Sequence, residues 1–295
     1  MNTAELLKKV RHIELTTGRL VSETFAGQYQ SVFKGRGIEF SEVREYVPGD
    51  DVRSIDWNVT ARANKPFIKQ YIEERELTLM ILCDVSGSQA FGSTGKPKSE
   101  AAAELAATFA FSALKNSDKS GLLLFSDKPE LYIPPRKGRN HSLRIIRELL
   151  AYQPKSRGTD VAMALKMANR VMKRRGIIIL ISDFNSPDFG REARLTSRRH
   201  DLIPVVITDR FETELPAAKA LLVSEDLETG GDFTADLASP GYLQAYAKEA
   251  AARRAALEEA LRSAGADWID VDPAQPVHHP VVKFFRQRKR RFKLL

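Results

Sequence analysis

The sequence has a single cysteine, Cys83, which lies in an apolar segment. A disulfide within the chain is therefore excluded, and we expect a buried thiol, which suits a reducing compartment. No apolar stretch approaches the roughly 18 residues of a membrane-spanning helix, and the N-terminus has no signal-peptide core. These absences favour a cytoplasmic protein with, at most, peripheral association with membrane proteins.

Signals of enzymatic chemistry are also scarce. A phosphate-binding loop of the G-x-x-x-x-G-K-[ST] type is excluded in the segment FGSTGKPKS, because Ala90 and Pro97 stand where that pattern needs Gly and Ser or Thr. No complete catalytic motif is found, so we expect a protein that is not an enzyme. The histidines show no ligand spacing; they are His12, His141, His200, His278 and His279.

The net charge of +8 is concentrated at the C-terminus. Residues 283–295 contain seven basic residues and no acidic one, so the remainder carries 39 basic and 38 acidic residues and is nearly neutral. This tail could contact nucleic acid, an acidic partner or an anionic membrane surface. The alternative is a solvated helix end whose cations complement the helix dipole. The basic residues are Lys283, Arg286, Arg288, Lys289, Arg290, Arg291 and Lys293.

With 295 residues, 43% of them hydrophobic, the chain is long enough to bury a substantial core. An amphipathic helix over residues 2–25 and short strands rich in turns predict an N-terminal subdomain over residues 1–76, with residues 67–72 joining the central sheet. Alternating strands and helices over residues 77–275 predict a doubly wound, mostly parallel α/β sheet. Residues 276–295 form the predicted basic C-terminal helix.

The most informative segment is LTLMILCDVSGS, residues 77–88. Its apolar run predicts a strand buried on both faces, which places Asp84 at the carboxyl edge of the sheet, where α/β proteins bind ligands. Ser86 and Ser88 follow, and three oxygen-bearing side chains in such a loop can face one hard cation such as Mg²⁺. The alternative is a strand that enters a helix through an Asp or Ser cap.

Two later segments add oxygen ligands. Thr159 lies in a G-T-D turn that opens a helix, where it could also be only a cap, and Asp183 ends the apolar strand GIIILISDF. If the strands of Asp84 and Asp183 run parallel, both carboxylates lie at the same edge. Two carboxylates, two serines and a threonine can then surround one point.

This arrangement closely resembles the von Willebrand factor type A domain and its metal-ion-dependent adhesion site. The resemblance implies that Mg²⁺, or Mn²⁺ or Ca²⁺ in its place, is held directly or through water. It also implies that one coordination position stays open for an acidic residue of a partner. The metal ligands it implies are Asp84, Ser86, Ser88, Thr159 and Asp183.

The segment GIEFSEVREYVPGDDVRSIDWNVTAR, residues 37–62, resembles the signature of the bacterial domain of unknown function 58 family. That resemblance implies partnership with a MoxR-type AAA+ ATPase in a chaperone-like maturation or assembly system. Many family members carry N-terminal membrane spans, which this sequence lacks. The matching residues are Pro48, Gly49, Asp50, Asp51, Arg53, Ile55, Asp56, Trp57, Thr60, Ala61 and Arg62.

The role of this signature has two interpretations. Asp56 and Trp57, flanked by Arg53 and Arg62, are expected to form a buried aromatic anchor with charge-assisted hydrogen bonds, which would clamp the subdomain. The alternative is a partner-docking surface, because PGDD is a turn and turns are exposed.

The sequence thus favours a metal-dependent protein-binding module that engages an acidic residue of a partner and needs no small-molecule substrate. One alternative is a metal-dependent hydrolase at the edge formed by Asp84 and Asp183. A haloacid dehalogenase-type phosphatase would need a second Asp where Ser86 stands, and a serine nucleophile would need an adjacent base. The other alternative is nucleic-acid binding through residues 283–295.

Overall fold

The computed structural model describes residues 39–63, 65–72 and 77–293. The helix predicted over residues 2–25 lies outside these residues. The described chain divides into two compact units, one up to Leu77 and the other from Thr78 onward. Among the described residues, no helix combines the length and the apolar character needed to cross a membrane.

The first unit is a small antiparallel pair of strands joined by turns and a short helix. Strand β1 (Glu39–Glu45) pairs with β2 (Phe67–Ile72), and helix α1 (Trp57–Ala63) lies between them in the chain. The prediction that residues 67–72 join the central sheet is wrong, because β2 pairs with β1 in a separate two-stranded sheet. Alternation of apolar residues identified a strand but carried no information about its partner.

The second unit contains a six-stranded sheet made of β3 (Thr78–Asp84), β4 (Lys119–Phe125), β5 (Pro129–Arg136), β6 (Ile177–Ser182), β7 (Asp201–Ile207) and β10 (Ile269–Val271). Its spatial order is β10-β7-β6-β3-β4-β5. All neighbouring pairs are parallel except β4 with β5, so β5 is an antiparallel edge strand. The predicted doubly wound, mostly parallel α/β fold is confirmed.

Helices cover both faces of this sheet, as its apolar strands require. On one face Met80 and Leu82 pack in a cluster with Leu165 and Leu261; on the other, Phe109 packs edge-on against Phe285. The helices are α2 (Lys98–Lys115), α3 (Arg139–Ala151), α4 (Val161–Val171), α5 (Gly190–Arg199), α6 (Arg210–Thr213), α7 (Pro240–Ser263) and α8 (His278–Lys293). A separate hairpin consists of β8 (Leu221–Glu225) and β9 (Asp232–Asp236).

The basic C-terminal helix, α8, packs on the body of its unit rather than projecting as an arm. Phe285 is fully buried, and Arg288 binds Asp201 through two hydrogen bonds of 2.8 and 3.0 Å. Arg291 lies 3.0 Å from Asp267. Part of the positive charge of the tail is therefore neutralised by carboxylates of the same chain.

Candidate metal centre

The five predicted ligands come from three loops at the carboxyl edge of the central sheet. Asp84 is the last residue of β3, Ser86 and Ser88 lie in the turn that follows, Thr159 precedes α4, and Asp183 follows β6. Strands β3 and β6 are parallel neighbours, with Cys83 paired with Ile181. Their adjacency brings the loops together, as the strand pattern predicts.

Asp84 is held in one orientation by two hydrogen bonds. The backbone N–H of Ser86 donates to Oδ1 at 2.8 Å, and the hydroxyl of Ser182 donates to Oδ2 at 2.6 Å. The Asp84 side chain is buried, and this burial together with repulsion from Asp183 raises the pKa of Asp84 to about 7. The two carboxylates therefore repel each other at this point, and a cation bound between them would relieve that repulsion.

The two serine hydroxyls face each other, with 3.1 Å between Ser86 Oγ and Ser88 Oγ. Gly87, between them, is required by close packing, because a Cβ atom there would lie 2.0 Å from the carbonyl oxygen of Leu227. The Gly87 N–H donates to the carbonyl of Arg157 at 2.8 Å. The first ligand loop is thereby packed against the loop that leads to Thr159.

Thr159 is buried, and its hydroxyl donates to Glu228 Oε1 at 3.1 Å. The interpretation of Thr159 as only a helix cap is wrong. The cap of α4 is Asp160, which accepts from the Met163 N–H at 2.8 Å. The Thr159 hydroxyl therefore makes its hydrogen bond at the edge of the sheet and does not cap the backbone of α4.

Asp183 contacts a buried cation that sequence reasoning did not identify. Lys98, whose side chain is fully buried, donates to Asp183 Oδ2 at 2.6 Å and also to Glu212. Burial acts to lower the pKa of Lys98, but the charges and hydrogen bonds of these two carboxylates raise it above its ordinary value. Lys98 is therefore a permanent cation beside the candidate centre.

The position of Glu212 follows from a local signal. Asp209 caps the short helix α6, and Glu212 completes the capping box by accepting from the Asp209 N–H at 2.9 Å. The D-x-x-E pattern of residues 209–212 identifies such a box. It predicts the turn, but not the contact with Lys98.

The donor set fits a hard divalent cation. Carboxylate and hydroxyl oxygens are the ligands that Mg²⁺ prefers, and with bonds of about 2.0–2.1 Å an octahedron places adjacent oxygens roughly 2.9 Å apart. The Ser86–Ser88 oxygen separation of 3.1 Å is close to that value. Among the described residues, no group of three or more His, Cys, Asp or Glu is arranged to hold a metal, so the hydroxyls are essential to this set.

Comparison with known proteins identifies the family. A family model described as "Protein of unknown function DUF58" matches residues 42–256, more than half of the chain. The chain belongs to the DUF58 family. It is 30% identical over 291 residues to the uncharacterized protein Rv1480 of Mycobacterium tuberculosis (strain ATCC 25618 / H37Rv). The alignment covers 97% of this chain and 90% of Rv1480.

Similar solved structures are more distant. An aerotolerance-related membrane protein from Bacteroides fragilis NCTC 9343 aligns with a TM-score of 0.49 and 17% identity, over 73% of this chain and 99% of that one. The SpRpn10 VWA domain aligns with a TM-score of 0.39 and 11% identity, over 70% of this chain and 94% of that one.

The DUF58 signature segment is a turn followed by α1. Pro48 and Gly49 form the turn, with φ of +112° at Gly49, and Asp50 accepts two hydrogen bonds from Arg44 at 2.7 and 2.8 Å. Asp51 accepts from the Arg53 N–H at 2.9 Å and so caps a short 3₁₀ turn. The two acidic side chains of PGDD thus stabilise local backbone structure.

The expected buried anchor at Asp56 and Trp57 is wrong, because the Trp57 side chain is 68% exposed. Asp56 Oδ1 accepts from the N–H groups of Asn58 and Val59 at 3.0 and 3.3 Å, as a helix cap does. This capping makes Trp57 the first residue of α1, where it faces outward. Arg62 is also exposed. The I-D-W motif therefore caps a helix instead of filling a core.

Proposed function

We propose that this DUF58 protein is a metal-dependent protein-binding module. Mg²⁺ held by Asp84, Ser86, Ser88, Thr159 and Asp183 would bind an acidic residue of a partner protein at a remaining coordination position. The observation that supports the proposal is the placement of two carboxylates and three hydroxyls on loops at one edge of the sheet, where burial and the charge of Asp183 raise the pKa of Asp84. The metal would supply charge neutralisation and an exchangeable ligand position.

The same geometry supports binding better than hydrolysis. Serine catalysis needs an adjacent base, and the hydroxyl of Ser86 is paired with Ser88. His141 contacts the carbonyl of Ser120. His200 lies between α5 and β7, where it is buried away from the Ser86–Ser88 loop. The position two residues after Asp84, where a phosphatase of the haloacid dehalogenase type needs Asp, holds Ser86.

The partner that the family resemblance favours is a MoxR-type AAA+ ATPase, with the DUF58 protein as its adaptor in chaperone-like maturation or assembly. A protein partner also suits the basic tail. Arg288 and Arg291 bind carboxylates of the same chain, which leaves fewer cations of residues 283–295 for the phosphates of nucleic acid.

The test is binding of the purified protein to the MoxR-type ATPase of the same host, in Mg²⁺ and in EDTA. We expect the wild-type protein to retain the ATPase in Mg²⁺ and to lose it in EDTA. The variant Asp84→Ala, and Thr159→Ala, which is the milder change in structure, should lose the ATPase to the same extent. Asp127→Ala is the matched control, since Asp127 is an exposed carboxylate after β4 that lies outside the ligand set. Equal retention of all proteins in EDTA would overturn the metal-dependent proposal. Circular dichroism checks that each variant is folded.

A further inference from the structure

The hairpin of β8 and β9 carries apolar side chains on its surface. Leu221 and Val223 are 69% and 68% exposed, and Leu222, which lies between them, is 39% exposed. Adjoining apolar side chains that remain exposed are typical of a surface that binds another molecule. Strand β8 is therefore a candidate contact surface.

The outer edge of β8 is also open. In the part of the chain that the structure describes, β8 and β9 form a sheet of two strands. The Leu237 N–H donates to the Ala220 carbonyl at 3.1 Å, and the Asp226 N–H donates to the Gly231 carbonyl at 2.7 Å. Because bonded pairs alternate along an antiparallel ladder, the even-numbered residues of β8 bond to β9. The residues whose backbone N–H and C=O groups point to the open edge are Leu221, Val223 and Glu225.

The sequence around this edge is complementary to itself. Residues 219–225 read KALLVSE, with an exposed cation, Lys219, at one end and an exposed carboxylate, Glu225, at the other. If a two-fold axis passes through Leu222, the edge of a second copy places its Val223 opposite Leu221 and its Glu225 opposite Lys219. Apolar pairs and opposite-charge pairs of this kind stabilise antiparallel strands.

Only one register gives this match. A shift of two residues in one direction would place Glu225 opposite Leu221 of the second copy, and a shift in the other direction would place Lys219 opposite Val223. The matching register also pairs odd-numbered residues with odd-numbered residues, whose backbone groups point to the open edge. Side chains and backbone therefore favour the same pairing.

The hairpin is held in place by the loops beside it. Arg157 binds Glu225 at 2.8 Å, and the carbonyl of Leu227 lies so close to Gly87 that no side chain would fit between them. The Thr159 hydroxyl donates to Glu228 in the turn of the hairpin at 3.1 Å. An isolated two-stranded hairpin is only marginally stable, and these contacts pre-organise the edge for pairing.

We propose that the chain forms a two-fold dimer in which β8 pairs antiparallel with β8 of a second copy. The two hairpins then make one four-stranded sheet, with the same surface used by both copies. The contact uses none of the five predicted metal ligands, so it goes beyond the proposed function. Pairing of two short strands is small beside a standard interface of about 800 Å² per partner, so we expect a concentration-dependent equilibrium between monomer and dimer.

The experiment is sedimentation velocity of the full chain over a concentration series. The mass of the wild type should rise from the monomer value of 33.1 kDa toward twice that value. Val223→Lys should remain monomeric, because it places a charge against the apolar centre of the contact. Leu195→Lys, which makes the same kind of change at an exposed apolar residue of α5, should dimerise as the wild type does. A wild type that stays monomeric, or a Val223→Lys variant that dimerises like the wild type, would overturn the proposal.

Reversal of the end charges tests the register. Lys219→Glu and Glu225→Lys should each weaken dimerisation by about tenfold or more, since each places like charges opposite each other twice. Mixing the two variants in equal amounts should restore a dimer, because every pair across the axis then has opposite charges. Lys248→Glu, the same reversal at an exposed position of α7, is the control and should dimerise as the wild type does. Failure of the mixture to recover would exclude this pairing.

The same series in EDTA and in Mg²⁺ separates this proposal from the proposed function. The dimer should form equally in both, because the metal ligands lie outside the contact. A protein that binds Mg²⁺ and stays monomeric would overturn the dimer alone, and a protein that dimerises without binding Mg²⁺ would overturn the proposed function alone. Circular dichroism checks that each variant is folded.

Discussion

Lys98 offers a quantitative test of the electrostatics at the candidate centre. Its fully buried side chain lies between Asp183, whose side chain is 6% exposed, and Glu212, whose side chain is 33% exposed. The substitution Lys98→Met keeps most of the apolar stem and removes the charge, leaving the buried carboxylate of Asp183 without its cation. Breaking one side of a buried ion pair costs about 3–5 kcal/mol. Because water screens Glu212 in part, we expect the lower end, about 3 kcal/mol.

The assay is urea unfolding in EDTA followed by circular dichroism. Lys96→Met is the matched control. Lys96 binds Glu104 at 3.0 Å with both side chains partly exposed, and such pairs contribute about 0–1 kcal/mol. Saturating Mg²⁺ should restore part of the stability lost in Lys98→Met, since the metal would share Asp183. The reasoning is refuted if Lys98→Met costs no more than Lys96→Met.

Three further changes test other parts of the structure. Arg288→Ala should lower the free energy of unfolding by about 1–3 kcal/mol, because the two hydrogen bonds to Asp201 are lost. In the same urea assay, Arg290→Ala should change the free energy of unfolding by less than about 0.5 kcal/mol, because Arg290 is exposed. Burial and neighbouring arginines lower the pKa of His200. The unfolded chain therefore takes up this proton first as the pH falls below about 6.5, and the contribution of His200 to stability should decline there. His200→Phe should flatten that decline in unfolding measured across pH, and an unchanged slope would contradict the assignment. Trp57→Ala should change the free energy of unfolding by no more than about 0.5 kcal/mol, and a larger loss would mean that Trp57 is covered.

Much of the fold follows from local sequence patterns. The apolar runs that end at Asp84 and Asp183 are too short for helices and lack polar alternation, which predicts strands buried on both faces. Parallel pairing of such strands then places both carboxylates at one edge. The hairpin of β8 and β9 was also predictable, because the T-G-G turn separates two short strands.

Features set by distant contacts could not be predicted in this way. Lys98 meets Asp183 and Glu212 across 85 and 114 residues of sequence, and no periodicity reports such a contact. Glu228 reads locally as one more turn residue. The exposure of Trp57 depends on which face of α1 lies outward, whereas its sequence neighbourhood suggested only that an aromatic residue would be buried.

The most direct test of a metal-dependent function is titration calorimetry of the metal-free protein with Mg²⁺. The account predicts saturable binding to the wild type and to Asp127→Ala, and a loss of at least about tenfold in affinity for the isosteric Asp84→Asn, which removes one of two ligand carboxylates. Absence of binding to the wild type, or equal affinity for the wild type and Asp84→Asn, would contradict the metal centre on which the proposed function depends.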